Sequence, residues 1–450
     1  MVLELLHNAL AALACFALWR GWRLLAGRGR ASLIIAAGLL VRAAGGQILF
    51  WISYLNLPVA RPLQLGDGFW FFAADGPGML DYARKLIIQG PTAFLVMRKA
   101  IPSHGFIQVF TLFAESFGVV ASVAILLNCA AFLATCAIIL RLGERGSRSE
   151  WPRLVALAAM ALGPGTILWS LQLLKDTFFL FLIAAMIAAC DYWQEVWRGN
   201  APGRWRRAAF CAAAMFAVMY TIAGIRWYLA VFFWGAWSVF AFLTALTARR
   251  RLPALLFHAV VFVFLAQAVR LGGAWDVPLW IQRVLDPGPS IVATFRPTIL
   301  AADLKSRRIG FENAPAATTI VVGRTLEERP FSKATAGLAA TFLPRFIAES
   351  FGLVLIGGGR GFWLFVELDT LVFDAVLLFA IIFCVQRLRG PSRITPLFVM
   401  LLIVLVAAAG PLAYTVNNFG TLFRLRQMLY VILAFLPLTL ATRASTVPPG

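Results

Sequence analysis

Three aspartates in one aromatic and glycine-rich stretch are the residues best suited to acid–base chemistry in this chain. Asp67, Asp75 and Asp81 lie within residues 63–90, LQLGDGFWFFAADGPGMLDYARKLIIQG. Acids are scarce elsewhere, since the chain has 20 Asp and Glu against 40 Lys and Arg. The stretch follows a long apolar run, and a carboxylate at the edge of a membrane, beside an apolar cavity, is well placed to act as a general base.

Each aspartate also has an ordinary structural interpretation. Asp67 and Asp75 stand beside glycines, where a carboxylate commonly closes a tight turn, and Asp75 is also placed to cap the helix that follows. Asp81 precedes Arg84 and Lys85 by one helical turn, which is typical of a solvated helix face. Asp75 and Asp67 therefore remain the catalytic candidates, and their sequence context does not separate them.

The composition predicts an all-α polytopic membrane protein. Of the 450 residues, 61% are hydrophobic and only 13% are charged, and the mean hydropathy is +0.83, far from the values of soluble domains. Many apolar runs reach the roughly 20 residues that cross a bilayer. We predict about eleven transmembrane helices, at residues 4–19, 31–55, 118–140, 154–171, 177–194, 208–225, 227–247, 253–271, 363–385, 395–414 and 427–442.

Short arginine-rich clusters orient these spans. They occur at residues 20–30, 141–153, 198–207, 249–251 and 387–393, and the positive-inside rule places each on the cytoplasmic side. The N-terminus is then expected outside and the C-terminus in the cytoplasm, in the inner (plasma) membrane. Many of the basic residues behind the net charge of +20 lie in these clusters, where they orient the protein in the membrane. The absence of a basic, aromatic-interleaved soluble module argues against nucleic-acid binding.

Two long segments fall on the outer side. The first, 56–117, contains Leu80–Gly90 and Gly105–Phe117, which are too short to span and are predicted to form two interfacial helices. In the second, 273–362, the apolar stretch 336–355 is a candidate twelfth span, although the arginines that follow argue against the inversion this would cause. We expect three regions: an N-terminal bundle with a catalytic outer loop at 1–272, an extracytoplasmic region at 273–362, and C-terminal transmembrane helices at 363–450.

Charged and polar residues gather at the predicted outer ends of the spans. A charge near hydrocarbon is costly unless it is paired or solvated, so such residues are functional candidates, although ion pairs closing turns are an equally ordinary interpretation. Arginine forks and lysine ammonium groups suit a lipid-linked phosphate. The candidate phosphate-binding residues are Lys175, Arg226, Arg424 and Arg426, and the supporting residues are Asp176, Asn418 and Glu367.

The cysteines and histidines do not form a metal-binding pattern. All six cysteines lie in apolar segments without a CxxC pair, and the three histidines are scattered. Such cysteines are typical of small buried hydrophobic residues. We expect no required cofactor, while the acidic residues leave room for a divalent metal.

This arrangement resembles the GT-C superfamily of membrane glycosyltransferases, as in bacterial mannosyltransferase-like families. Their recurrent pattern is an acid in the first large outer loop, an aromatic residue four positions later, an alanine four after that, and a glycine ending the helix. Asp75, Met79, Ala83 and Gly90 match this spacing, with Met79 in place of the usual tyrosine. The resemblance covers mainly residues 31–195.

A second string in the same loop adds to the resemblance. Ile101-Pro102, Gly105-Phe106 and Phe117-Gly118, followed by a span containing Asn128, resemble the second interfacial helix of that loop and the span after it. Two features depart from the family pattern. The first span is an addition, and glycine follows Asp75 where a second acid is common.

The resemblance implies a polyprenyl-phosphate-linked sugar as donor and a glycan or lipid of the cell envelope as acceptor, with membrane lipids around the protein. Asp75, or else Asp67, is expected to take the proton of the acceptor hydroxyl. Lys175, Arg226, Arg424 and Arg426 are expected to hold the leaving phosphate.

Two other functions fit parts of the sequence. An O-antigen or exopolysaccharide polymerase or ligase fits the arginines of the 273–362 segment and of the string NNFGTLFRLR at 417–426. A lipid-linked sugar flippase or transporter requires polar residues deep in several spans. Apart from Arg42, Gln47 and His258, the spans are apolar, which favours an enzyme acting at one face.

Overall fold

Long apolar helices make up most of this computed structural model. It describes residues 2–26, 29–90, 103–146, 149–198, 203–248, 251–273, 305, 308–309, 320–322, 330–356, 360–390, 392–416 and 418–442. Within these ranges, nine helices are long and apolar enough to cross a membrane. The prediction of an α-helical multi-pass membrane protein is confirmed at this level.

Among the described residues up to Arg198, the chain forms eight helices and one small hairpin. These are α1 (Val2–Leu25), α2 (Arg30–Tyr54), the hairpin β1 (Gln64–Gly66) and β2 (Phe69–Trp70), α3 (Gly76–Gln89), α4 (His104–Phe117), α5 (Val123–Gly146), α6 (Trp151–Leu162), α7 (Pro164–Leu168) and α8 (Asp176–Arg198). Short 3₁₀ turns at Arg61–Leu63 and Phe71–Ala73 flank the hairpin.

The described residues from Arg204 onward add seven helices and two short antiparallel strand pairs. The elements are α9 (Arg204–Thr247), α10 (Arg251–Gly272), β3 (Ile320–Val322), α11 (Pro330–Phe342), α12 (Arg345–Ser350), β4 (Val354–Ile356), α13 (Arg360–Arg389), β5 (Ser392–Arg393), α14 (Pro396–Thr415), α15 (Phe419–Phe435), a 3₁₀ turn (Leu436–Thr439) and β6 (Ala441–Thr442). Strand β3 pairs with β4, and β5 pairs with β6.

Arg226 interrupts α9 and reverses the chain. Its backbone is non-helical, with φ −146° and ψ 83°. Phe216 before the break packs on Phe264 of α10, and Trp234 after it packs on Phe262, with ring centroids 4.4 and 4.7 Å apart. A straight helix at 1.5 Å per residue would separate those two α9 residues by roughly 27 Å. The spans predicted on either side of Arg226 are therefore antiparallel arms joined by an elbow.

The predicted span at 154–171 is not one continuous helix, because it breaks in its middle. Helix α6 ends at Leu162, and α7 begins after Gly163 with Pro164. Proline has no N–H to donate, and its ring clashes with the carbonyl four residues earlier, so a helix does not run through it unbroken. The broken stretch still runs along most of α5. At one end, a Cβ added to Gly143 would lie 2.9 Å from the Arg153 side chain. At the other end, Asn128 donates to the carbonyl oxygens of Ser170 and Gln172.

Opposite charges satisfy the two helix ends exposed by this break. The guanidinium of Arg42, which is 1% exposed, donates to the carbonyl oxygens of Met160 and Ala161, each at 2.7 Å. On the other side, the Gly165 N–H donates to Asp369 Oδ1 at 2.6 Å. A cation at a helix C-terminus and an anion at a helix N-terminus both complement the helix dipole. Arg42 therefore has a structural role.

The segment considered as a twelfth span does not form one. Residues 336–355 contain the end of α11, then the six-residue α12, then β4. Pro344 separates the two helices, and α11 has 13 residues, well short of the roughly 20 required.

Helices form over both segments predicted to lie along the interface. Helices α3 and α4 have 14 residues each, and α3 buries Met79, Leu80, Ala83 and Leu86, an apolar stripe at helical spacing. Helix α4 approaches the elbow of α9 so closely that a Cβ added to Gly224 would lie 3.0 Å from the Gly105 Cα.

Candidate functional site

A guanidinium group near the start of α15 joins carboxylates from two distant parts of the chain. Arg424 Nη1 donates to Asp75 Oδ2 at 2.8 Å, and its Nε donates to Asp176 Oδ2 at 2.5 Å. The other oxygen of Asp176, Oδ1, accepts from Arg226 Nη2 at 2.6 Å. Asp75, Arg424, Asp176 and Arg226 thus form a row of alternating charges, which we call the ion-pair row.

The start of α3 presents Asp75 to this row. Asp75 directly precedes the helix, and its carbonyl accepts from the Met79 N–H at 3.1 Å. Its carboxylate makes no capping hydrogen bond, so it reaches Arg424 instead of the helix end. The side chain is 54% exposed, which leaves the carboxylate accessible to a substrate.

The other end of the row is buried. Asp176 is 2% exposed and Arg226 7% exposed. The elbow of α9 carries the Arg226 guanidinium, whose carbon lies 4.7 Å from the centre of the Phe179 ring, a cation–π distance. A carboxylate in such surroundings is stable because guanidinium groups hydrogen-bond to both of its oxygens.

Lys175 lies beside the row and is held by the loop before α8. Asn128 of α5 pins that loop by donating to the carbonyl oxygens of Ser170 and Gln172 at 3.0 and 2.9 Å. The Lys175 ammonium donates to the hydroxyl of Ser103. Burial and the neighbouring guanidinium groups lower the pKa of Lys175 to about 8.

The site carries more positive than negative charge at neutral pH. Lys175, Arg226 and Arg424 face two carboxylates, Asp75 and Asp176. The Nη2 of Arg424 is buried and has no hydrogen-bond partner among the residues that the structure describes. An unpartnered guanidinium nitrogen beside a partly buried ammonium can donate to a bound anion.

The ion-pair row lies at the end of the bundle opposite an arginine-rich connection. Helix α8 begins at Asp176 and ends at Arg198, and its 23 residues span roughly 34 Å at 1.5 Å per residue. The polar cluster therefore sits near one edge of the apolar layer and the basic connection near the other.

Asp67 and Arg426 occupy other places. Asp67 is exposed in the β1–β2 turn, with φ 50°, and in the described part of the chain it makes no hydrogen bond or ion pair with the ion-pair row. Arg426 is 1% exposed and donates to Asp369 Oδ2 at 2.6 Å and to Thr370 Oγ1 at 2.9 Å. Arg426 therefore balances the carboxylate that caps α7.

Glu367 and Asn418 bind helix ends. Glu367 Oε2 accepts from the Arg345 N–H at 3.1 Å, at the start of α12. Asn418 Oδ1 accepts from the Thr421 N–H at 3.3 Å, at the start of α15. Asn418 thus supports the helix that carries Arg424, whereas Glu367 acts on a different segment.

Ser103 was not identified as a candidate from the sequence. It is 8% exposed and directly precedes α4. A serine at that position is ordinarily a helix cap, so the sequence contains no signal for its contact with Lys175, 72 residues away.

The described residues contain no group of three or more His, Cys, Asp or Glu side chains that could hold a metal ion. The carboxylates of Asp75 and Asp176 are engaged by guanidinium groups. No protein-family model, curated protein or solved structure matches this chain. The fold and the site define a multi-pass α-helical membrane protein with a cationic, carboxylate-lined site near one end of its bundle.

Proposed function

We propose that this protein is an integral membrane glycosyltransferase that moves a sugar from a polyprenyl-phosphate donor to a cell-envelope glycan or lipid. The observation that carries the proposal is the pair of Asp75 and Arg424 beside Lys175. It sets an accessible carboxylate next to an excess of positive charge. Those are the two groups that transfer from a phosphate-linked sugar requires.

Each group has a role in the bond changes. The acceptor hydroxyl oxygen attacks the anomeric carbon, the bond from that carbon to the phosphate oxygen breaks, and Asp75 takes the hydroxyl proton. The phosphate leaves with the bonding electrons. Lys175 and Arg424 stabilise its additional negative charge. One base and a stabilised leaving group suffice for inverting transfer, so no nucleophilic carboxylate is required.

The other predicted site residues act less directly in this proposal. Arg226 acts through Asp176, which it holds in place for Arg424. Asp67 lies in an exposed turn outside the ion-pair row. Asp75, which belongs to the row, is therefore the base in this proposal. The buried pair of Arg426 and Asp369 supports the fold around α7 and does not hold the donor phosphate.

The proposed function requires a particular orientation of the protein in the membrane. About eleven spans place the N-terminus outside and the C-terminus in the cytoplasm of the inner membrane, with α3 and α4 along the outer interface. Support comes from the ion-pair row and the arginine-rich connection at opposite ends of α8. Transfer then occurs on the outer face.

A strain lacking this gene tests the function. Envelope glycolipids and polysaccharides are profiled by mass spectrometry after restoring wild type or Asp75→Asn. Loss of one sugar from a defined glycan, restored by wild type and not by the variant, supports transfer of a single sugar. Normal rescue by Asp75→Asn, with complete lipid-linked precursors accumulating in the deletion strain, indicates a transporter instead.

The central position of Arg424 also fits an arginine-dependent polymerase or ligase of surface polysaccharide. Arg424 contacts both carboxylates of the row, so such a reaction would depend on it more than on Asp75. In the same profile, collapse of the glycan to single repeat units identifies the polymerase.

A further inference from the structure

Ser103 has an unusual backbone and an unusual hydrogen bond for a residue that begins a helix. Its φ of 57° and ψ of 37° lie in the left-handed region, a strained conformation for a non-glycine residue. Its hydroxyl makes no capping bond to α4 and accepts instead from the Lys175 ammonium. The side chain is thus directed away from the helix end and toward the ion-pair row.

The packing of α4 fixes this backbone. The Phe106 N–H donates to the Ser103 carbonyl oxygen at 2.9 Å. Gly105, the residue before Phe106, packs tightly on the elbow of α9, since a Cβ added to Gly224 would lie only 3.0 Å from the Gly105 Cα. Ser103 is therefore held between the elbow that carries Arg226 and the loop that carries Lys175.

Charged groups from four elements face the Lys175 ammonium. Asp75 comes from the start of α3, Asp176 from α8, Arg226 from the elbow of α9, and Arg424 from α15. Two of them attract the ammonium and two repel it, so charge alone gives it no fixed direction. The Ser103 hydroxyl supplies one, because a hydrogen-bond acceptor favours a single ammonium geometry.

We infer that Ser103 is a positioning residue that holds the Lys175 ammonium toward the Asp75–Arg424 pair. The inference rests on the proposed function for its part in transfer. The effect of Ser103 on the Lys175 ammonium does not depend on that function, because it follows from the hydrogen bond between the two side chains. Ser103 acts through Lys175 and touches no reacting atom.

Amine labelling tests the inference without any enzymatic assay. The purified full-length protein in detergent is treated with a small acylating reagent across a range of pH, and labelling of Lys175 is quantified by mass spectrometry. The exposed Lys85 serves as the internal reference. The variants are Ser103→Gly, which removes the hydroxyl while easing the left-handed backbone, and Ser103→Asn, which keeps an acceptor and tolerates that backbone. Ala60→Gly, at another left-handed position with φ 50°, controls for backbone relief.

Removal of the acceptor destabilises the ammonium and leaves more Lys175 as free amine. We expect Ser103→Gly to increase labelling of Lys175 at pH 7 by about fivefold, which is the rise in free amine at that pH when a pKa of about 8 falls by about one. Ser103→Asn and Ala60→Gly should label as wild type does. Superimposable Lys175 profiles for wild type and Ser103→Gly would overturn the inference. If the profile shifts while wild type transfers no sugar, the positioning role stands and the proposed function fails.

Discussion

Arg424 donates to Asp75 across a 2.8 Å ion pair that joins residues 349 positions apart. The same guanidinium bonds Asp176, whose side chain is 3% exposed, whereas that of Asp75 is 54% exposed. Ion pairs at exposed carboxylates add little stability. The pairing of Asp75 therefore adds little to stability, and it leaves the carboxylate accessible.

Replacement of Asp75 by asparagine should abolish transfer while leaving membrane insertion and abundance unchanged. The amide keeps the size of the side chain but cannot take the acceptor proton, and loss of a general base costs about 100-fold or more. Transfer is measured with purified protein and a synthetic polyprenyl-phosphate sugar. Asp67→Asn is the matched control, because Asp67 lies in an exposed turn, and asparagine tolerates its positive φ. Full activity of Asp75→Asn would remove Asp75 as the base.

Replacement of Asp176 by asparagine should destabilise the protein as well as inactivate it. Asp176 is the buried partner of both Arg226 and Arg424, and breaking a buried ion pair costs about 3 kcal/mol or more. A lower Tm in detergent is the expected result. Asp81→Asn breaks an exposed 3.6 Å pair with Arg84 and should leave Tm unchanged. Equal Tm values for the two variants would contradict a structural role of the row.

Transfer should weaken as pH rises through about 8, the lowered pKa of Lys175. Only the ammonium form attracts the donor phosphate, and it is lost above this pH. The contribution of Lys175 to stability changes with pH in the opposite direction. The folded pKa lies below the usual value of 10.5, so the cost of burying the ammonium is fully present below pH 8 and declines as pH rises toward 10.5. A falling rate in a protein whose Tm does not fall separates titration of Lys175 from unfolding, and Lys175→Arg should move the alkaline limb to higher pH.

Alanine at Gly165 should lower Tm and abundance. Its Cβ would lie 2.3 Å from Gln427 Nε2 and 2.8 Å from Asp369 Oδ1, and so would disturb the cap of α7. Overpacking of this kind costs about 1–3 kcal/mol. Gly235→Ala, in the second arm of α9, meets no atom within 4 Å and should be neutral or slightly stabilising. If both variants melt like wild type, the α6–α7 break does not depend on this contact.

The spans were predictable where hydrophobicity and local breaks agree. The glycine and arginine of TIAGIRWY mark the turn at Arg226, and the elbow lies there. The break at Pro164 was missed because the run from 154 to 171 is long enough to cross on hydropathy alone. Arg42, which compensates that break, precedes it by more than a hundred residues, and no local pattern connects them.

The types of the residues predicted that a polar cluster forms at the span ends, but not which of the candidate residues belong to it. Lys175, Asp176, Arg226 and Arg424, which all lie at the ends of predicted spans, are neighbours in the structure. Arg424 and Arg426 are two positions apart on one helix and therefore point in different directions, about 200° apart around the axis. The first bonds Asp75 and Asp176, and the second bonds Asp369. Rotation about a helix axis depends on packing, which a single sequence does not specify.

The distance in sequence between Asp75 and Arg424 sets an order of assembly during synthesis. The elbow of α9 can deliver Arg226 to Asp176 as soon as the first two hundred and fifty or so residues are in the membrane. The link to Asp75 exists only after α15 follows them. A nascent chain thus carries a neutral pair of Asp176 and Arg226 while the stretch between α9 and α15 is being made, and Arg424 joins it only when α15 inserts.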